Sequence, residues 1–124
     1  MATPNIVGVT TVIGKTTYVS IPNTSANVLL SNASTSNSVY KVNSIIVAND
    51  SNAGTAKIIV KVHDEASGGG TAYNIANNVG IASETTLVVL DKASSIYLEE
   101  NKSITVQSNQ SNYLDVVCSY EIIS

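Results

Sequence analysis

The stretch YLDVVCSYEII, residues 113–123, alternates apolar and polar side chains along its length. Leu114, Val116, Cys118, Tyr120 and Ile122 fall on one side, and acidic or hydroxyl side chains fall on most of the other. Successive side chains of a β-strand point to opposite faces of a sheet, so a period of two predicts a strand with one buried face. The fold must therefore supply a second apolar layer that covers this face.

Further stretches carry the same alternation or a run of β-branched residues, and turn-forming clusters such as NTSAN, SNASTSNS and EASGGG separate them. No stretch has the spacing of an amphipathic helix. We predict an all-β fold, an antiparallel β-sandwich of about eight strands that is jelly-roll-like, with an immunoglobulin-like sandwich as the alternative. The predicted strands lie near residues 39–48, 56–63, 85–91, 102–107 and 113–122. The predicted core contains Ile58, Val60, Ile104, Val106, Val116, Cys118 and Tyr120.

Two of the predicted strands are apolar on both faces, over residues 45–48 and 87–90. In an antiparallel sheet with one face in water, only the other face needs to be apolar. A second apolar face therefore indicates that a further layer covers that face. A chain of 124 residues has little left for a third layer, which favours contact with another subunit. We predict a homo-oligomer, with a trimer favoured. The predicted contact residues are Ile45, Val47, Leu87 and Val89, with Ile6, Val7, Val9, Val12 and Ile13 from the N-terminal stretch.

The composition excludes several classes of partner. The chain has no Arg, a charged fraction of 12% and a net charge of −3. A nucleic-acid backbone and an anionic membrane surface both require clustered cations, so neither partner is expected. No apolar run approaches the roughly 20 residues that cross a bilayer. The opening MATPNIVGVT lacks the features of a signal peptide, which predicts a protein made in a cytoplasm.

No set of side chains has the spacing that catalysis requires. His63, the only histidine, shares a strand face with Lys57 and Lys61, so we expect it to point to water. Cys118, the only cysteine, lies on an apolar face and should pack as a small hydrophobic side chain. The paired carboxylates are wrongly spaced to flank one glycosidic bond. The nitrogen and sulfur ligands are too few for zinc. We predict no enzymatic activity, no catalytic residues, no cofactor and no metal.

The stretch GVTTVIGKTT, residues 8–17, ends like a phosphate-binding P-loop but does not match one. Five residues rather than four separate Gly8 from Gly14, and the TTYVSIPN that follows is a poor start for a helix. We interpret the stretch as two short strands bent at Gly14. Residues 1–22 are then an N-terminal arm or the first strand pair, and residues 23–124 form a single β-sandwich domain.

Several longer stretches carry a family resemblance. The chain resembles small structural proteins of tailed phages, notably those that infect cyanobacteria, in six stretches. These are the opening MATPNIVGVTTVIGKTT, then YKVNSIIVAND, GTAKIIVKVHD, GGTAYNIANNV, TTLVVLDKASSIYLEENKSITVQS and YLDVVCSYEII. The resemblance covers nearly the whole chain, and its motifs are structural. It implies a virion component, in the first place a capsid decoration (cement) protein that binds the shell of the major capsid protein and stabilises it. A neck or tail component, with other virion proteins as partners, is the alternative within this class.

A glycan-binding β-sandwich module is the alternative from another functional class. Sugar rings usually stack on Trp or Tyr, whose flat faces are apolar. Here Trp is absent and the tyrosines are spread along the chain. Two of them, Tyr73 and Tyr120, are expected to face inward, which weakens this alternative.

The N-terminal stretch generates the first testable prediction. Its β-branched residues favour an extended chain, and an extended segment pairs readily with a neighbouring sheet edge. Deleting residues 1–14 should leave the thermal unfolding transition in place and remove oligomers or incorporation into particles, as measured by circular dichroism and sedimentation. A variant that fails to fold, or one that folds and assembles normally, contradicts the arm hypothesis.

Overall fold

The computed structural model describes residues 11–124, which form two packed antiparallel sheets. Two short 3₁₀ turns, Ala66–Gly68 and Lys92–Ser94, lie in the connections. The predicted all-β sandwich is confirmed. The strands are β1 (Val12–Ser20), β2 (Asn27–Asn32), β3 (Val39–Asn49), β4 (Ala56–His63), β5 (Ala72–Ile81), β6 (Thr85–Leu90), β7 (Ile96–Leu98), β8 (Lys102–Ser108) and β9 (Leu114–Ile123).

The strand order is that of a jelly roll. Sheet A has the order β1-β9-β3-β6, with β7 pairing with the first part of β3, and sheet B has the order β2-β8-β4-β5. Four strand pairs are nested in the sequence, as they would be in one long hairpin. The innermost pair is β4–β5, followed outward by β3–β6, β2–β8 and β1–β9. Winding that hairpin places β3 beside β9 and β4 beside β8, as the register shows. This nesting distinguishes the fold from an immunoglobulin-like sandwich.

Aliphatic side chains from both sheets form the core. Tyr120 is only half-buried, but it packs against this core with its ring centroid 5.4 Å from that of Tyr40. Alternation along each strand sends every second side chain inward, so the sheets interdigitate without any Phe or Trp. The fully buried residues include Ile45, Val47, Ile58, Val60, Ile104, Val106, Val116 and Cys118. Apart from Tyr120, every predicted core residue is thus fully buried.

The first strand differs from its prediction. β1 runs without a break through Gly14, which lies opposite Glu121 in an uninterrupted register with β9. The predicted bend at Gly14 is wrong, because pairing with β9 along the whole strand holds the backbone extended. Residues 12–20 therefore belong to the sandwich itself. Residues 1–10, with the predicted contacts Ile6, Val7 and Val9, lie outside the described residues. Deletion of residues 1–14 would also remove the first three residues of β1.

The connection between β4 and β5, residues 64–71, folds back over the outer face of sheet B. The Ser67 N–H donates to Ser31 Oγ (2.9 Å), and the Gly68 N–H donates to Ser103 Oγ (2.8 Å). Gly68 has a φ of +75°, and a Cβ there would lie 3.2 Å from Thr105 Cγ2. A residue with no side chain is therefore required where this loop crosses the sheet.

The described part of the chain contains no helix that is long and apolar enough to cross a membrane.

Two neighbouring valines of β9 test the assignment of the core. Val116 is fully buried, whereas Val117 points outward and is exposed. Val116→Ala should lower the free energy of unfolding by about 1–4 kcal/mol, because it removes buried methyl groups and leaves a cavity. Val117→Ala is the matched control and should change stability by less than about 0.5 kcal/mol. Denaturant titration followed by circular dichroism gives both values, and equal losses would contradict the assignment.

Candidate functional site

The predicted contact residues of the doubly apolar strands do not form an outer surface. Ile45 and Val47 are fully buried and pack between the sheets. Their assignment as subunit contacts is wrong, because sheet B of the same chain already covers them. Leu87 and Val89 are half-buried and pack partly against the same core. The second apolar face of these strands is instead formed by Ile46 and Val88.

An apolar row crosses the outer face of sheet A. Tyr18 of β1 lies opposite Val117 of β9, Val117 lies opposite Ile46 of β3, and Ile46 lies opposite Val88 of β6. Tyr18 is 77% exposed and Val88 is 55% exposed, while Ile46 at the centre is half-buried by its neighbours. These four residues, here called the apolar row, form a continuous stripe because directly opposed side chains in a sheet are in contact.

The surroundings of the apolar row carry almost no charge. The neighbouring positions on either side are Thr16, Ser44 and Ser119 on one flank, and Ser20, Ala48, Thr86 and Asp115 on the other. An exposed apolar patch with a polar rim is typical of a protein-binding surface. The local sequence pattern does not indicate this row. Val117 falls on the polar side of its strand, and only the register brings it beside Tyr18.

Two further predicted contact residues lie at the start of β1. Val12 and Ile13, both predicted contact residues, are exposed at the edge of sheet A. They remain accessible to a partner, in contrast to Ile45 and Val47. Among the predicted contact residues that the structure describes, the exposed ones therefore lie on β1 and not on β3.

His63 does not point to water, contrary to the prediction. It lies on the face of Lys57 and Lys61 as expected, but it is only 9% exposed, because the loop of residues 64–71 lies over that face. Its Nε2 is 2.7 Å from Thr105 Oγ1, while Nδ1 is buried without a hydrogen-bond partner. The contact with Thr105 holds the ring in place beneath the loop.

A shallow cleft of about 210 Å³ lies beside His63. Val62, His63, Asp64, Tyr73 and Lys102 line it. Tyr73 lies opposite Val62, on the inner side of sheet B as predicted. However, β5 is an edge strand and the ring is 60% exposed. Tyr73 therefore lies on the inner side without being covered, and its ring is available beside one carboxylate and one ammonium group.

Cys118 has the environment of a structural thiol. It is fully buried and free of any disulfide. Burial raises the pKa of the Cys118 thiol to about 12, so the thiol stays protonated at neutral pH and does not act as a nucleophile. Residues 11–124 contain no group of three or more His, Cys, Asp and Glu side chains that could hold a metal ion.

Comparison with known proteins identifies a shared fold. No family model and no curated protein matches the chain. A solved structure of Bacillus endospore appendages, described as a novel family of disulfide-linked pili, matches with a TM-score of 0.53 and 13% identity over 92% of this chain and 88% of that chain. The CBM22-1–GH10 modules of Clostridium thermocellum xylanase 10B in complex with xylohexaose give a TM-score of 0.30 and 13% identity over 90% of this chain and 25% of that chain.

The buried contact of His63 generates a prediction about stability. His63→Ala should lower the free energy of unfolding by about 1–3 kcal/mol, because Thr105 Oγ1 loses its partner in a buried site. Lys57→Ala, on the same face of the same strand but exposed, is the control and should be nearly neutral. Denaturant titration measures both variants. Equal stability of His63→Ala and the unmodified chain would mean that the loop of residues 64–71 does not enclose the ring.

Proposed function

We propose that this chain is a non-enzymatic structural subunit that acts by binding other proteins in a larger assembly. The observation that carries the proposal is the apolar row on the outer face of sheet A. Tyr18 and Val88 expose large apolar surfaces to water, and covering them with a partner stabilises the complex in proportion to the apolar area removed from water. The jelly-roll fold shared with the spore-appendage subunit supports a role in assembly, because that subunit is itself part of a pilus.

The particular assembly we propose is the virion of a tailed phage. The family resemblance of the sequence supports this choice, and within it we favour a capsid decoration protein that binds the shell of the major capsid protein. An exposed apolar row with mostly uncharged flanking residues suits a contact that removes apolar surface from water. Such a subunit stabilises a shell by binding to the assembled state and not to its free components.

The chemistry of this face also sets how binding should respond to salt. Serine and threonine hydroxyls flank the apolar row, and Asp115 is the one charged residue among the flanking positions named above. Contacts of this kind gain little from long-range charge attraction, which salt screens. Binding should therefore persist at high ionic strength, unlike binding through lysine clusters.

Particle association tests the proposal. Particles purified from infected cells should contain the chain, detected by mass spectrometry after sedimentation in 1 M NaCl. Val88→Asp should reduce its recovery about tenfold or more, because a carboxylate would be desolvated in the middle of the contact. Val28→Asp, at another exposed valine but in sheet B, is the matched control and should be retained. Absence of the unmodified chain from particles, or full retention of Val88→Asp, would refute the proposal.

A glycan-binding role is the second candidate, favoured by the exposed ring of Tyr73 beside Asp64 and Lys102. A sugar ring could stack on the tyrosine while the charged groups bond to hydroxyls. Saturable binding of a host polysaccharide that is lost in Tyr73→Ala would support this role. Tyr97→Ala, at an exposed tyrosine of sheet A, is the control. Binding that survives Tyr73→Ala would exclude the cleft as the glycan site.

A further inference from the structure

Three of the four sheet edges in the described part of the chain are protected against pairing with another strand. β2 has a register shift between Val28 and Leu30, and the loop of residues 64–71 bonds to it through Ser31. β5 has two register shifts against β4. The 3₁₀ turn Lys92–Ser94 separates β6 from β7, so that edge is broken into two short pieces. Bulges, coverage and short strands are the usual ways in which proteins block edge-to-edge pairing.

The fourth edge, β1, lacks these protections. It is nine residues long, its register with β9 has no irregularity, and most of its side chains are exposed. Its one charged side chain is Lys15. Within residues 11–124, β9 is the only strand that pairs with it. An edge of this length and regularity is a template for a further strand.

The hydrogen bonds show which groups of β1 are free. Thr11 and Ser124 exchange two backbone bonds of 3.0 Å, and the Ile21 N–H donates to the Leu114 carbonyl (2.9 Å). Bonding alternates along an antiparallel strand, so the odd-numbered residues of β1 bond to β9. The N–H and C=O groups of the even-numbered residues therefore point away from the sheet. These residues are Val12, Gly14, Thr16, Tyr18 and Ser20.

We propose that β1 pairs antiparallel with β1 of a second copy of this chain, which joins the two A sheets into one continuous sheet across a two-fold axis. The axis passes beside Thr16, the middle residue of the strand. Thr16 then exchanges both backbone bonds with Thr16 of the partner subunit. Gly14 bonds to Tyr18 of the partner subunit, and Val12 bonds to Ser20 of the partner subunit. The proposal goes beyond the proposed function, because this contact between copies forms with or without a particle.

The side chains favour this register over the one centred on Lys15. A Cβ on Gly14 would meet nothing within 4 Å, so the ring of Tyr18 from the partner subunit can lie across that open backbone. On the inner side, Ile13 faces Val19 of the partner subunit, which pairs two apolar side chains. Lys15 faces Thr17 of the partner subunit. A register centred on Lys15 would instead oppose two ammonium groups and shorten the overlap, and directly opposed like charges destabilise a sheet.

Self-pairing at Thr16 permits a charge-swap test on the full chain. A single strand pair buries a small area, so the dimer should be weak, and sedimentation equilibrium should span about 10 µM to about 1 mM. Thr16→Lys alone and Thr16→Glu alone should each raise the dimer dissociation constant about fivefold or more, since each variant opposes like charges. An equimolar mixture of the two should dimerise at least as well as the unmodified chain. Thr86→Lys, exposed on the opposite edge of sheet A, is the control and should leave the dissociation constant unchanged.

Amide hydrogen exchange on the unmodified chain gives a second measurement that does not depend on any variant folding. The amides of Thr16 and Tyr18 should be protected at high protein concentration and exchange freely on dilution. The amides of Thr17 and Val19 should be protected at both concentrations, because they bond to β9.

Four outcomes would overturn the proposal: a monomer throughout the concentration range, a trimer, a charge-swap mixture that does not recover, or concentration-independent exchange at Thr16. A trimer would support the oligomer predicted from the sequence. A dimer that meets these tests without associating with particles would retain the inference and refute the proposed function, so the two can fail separately.

Discussion

The structure depends on the contact between two aliphatic sheet faces, and β9 is central to it. This strand pairs with β1 on one side and β3 on the other, so sheet A is continuous only through β9. Its inner residues Leu114, Val116 and Cys118 are all fully buried. No Phe or Trp is present to fill space, and strict alternation of branched aliphatic residues has to provide the packing. Inner positions of this core therefore leave little room for polar substitution.

Much of the fold was predictable because alternation is a local signal. β3, β4, β6, β8 and β9 lie within one or two residues of their predicted bounds. β2 is short and runs into a cluster rich in Asn and Ser, so its local composition indicates a turn. The predicted bend at Gly14 was wrong because cross-strand bonds to β9 outweigh the freedom of a glycine. Such bonds join residues about a hundred positions apart, and no local pattern contains them.

The candidate site was less predictable, since it depends on register and on coverage. His63 was assigned to the correct face of its strand, but a loop folds over that face and buries it. Ile45 and Val47 belong to a run that is apolar on both faces, and such a run does not indicate which face packs against the core. The apolar row forms only when four strands pair in this register.

The pattern of protected and open edges has a consequence for how far assembly can proceed. A contact that a strand makes with itself across a two-fold axis is closed, because each copy uses the same edge and none remains for a third copy. At the other edge of sheet A, the turn between β6 and β7 interrupts the hydrogen-bonding row. If β1 pairs with itself as proposed, growth through sheet A stops at two copies and does not continue into a fibre. Tyr18 is the member of the apolar row that lies on β1 and takes part in the paired edge. Val117, Ile46 and Val88 lie on the strands beyond β1, so the proposed pairing leaves them free for a different partner.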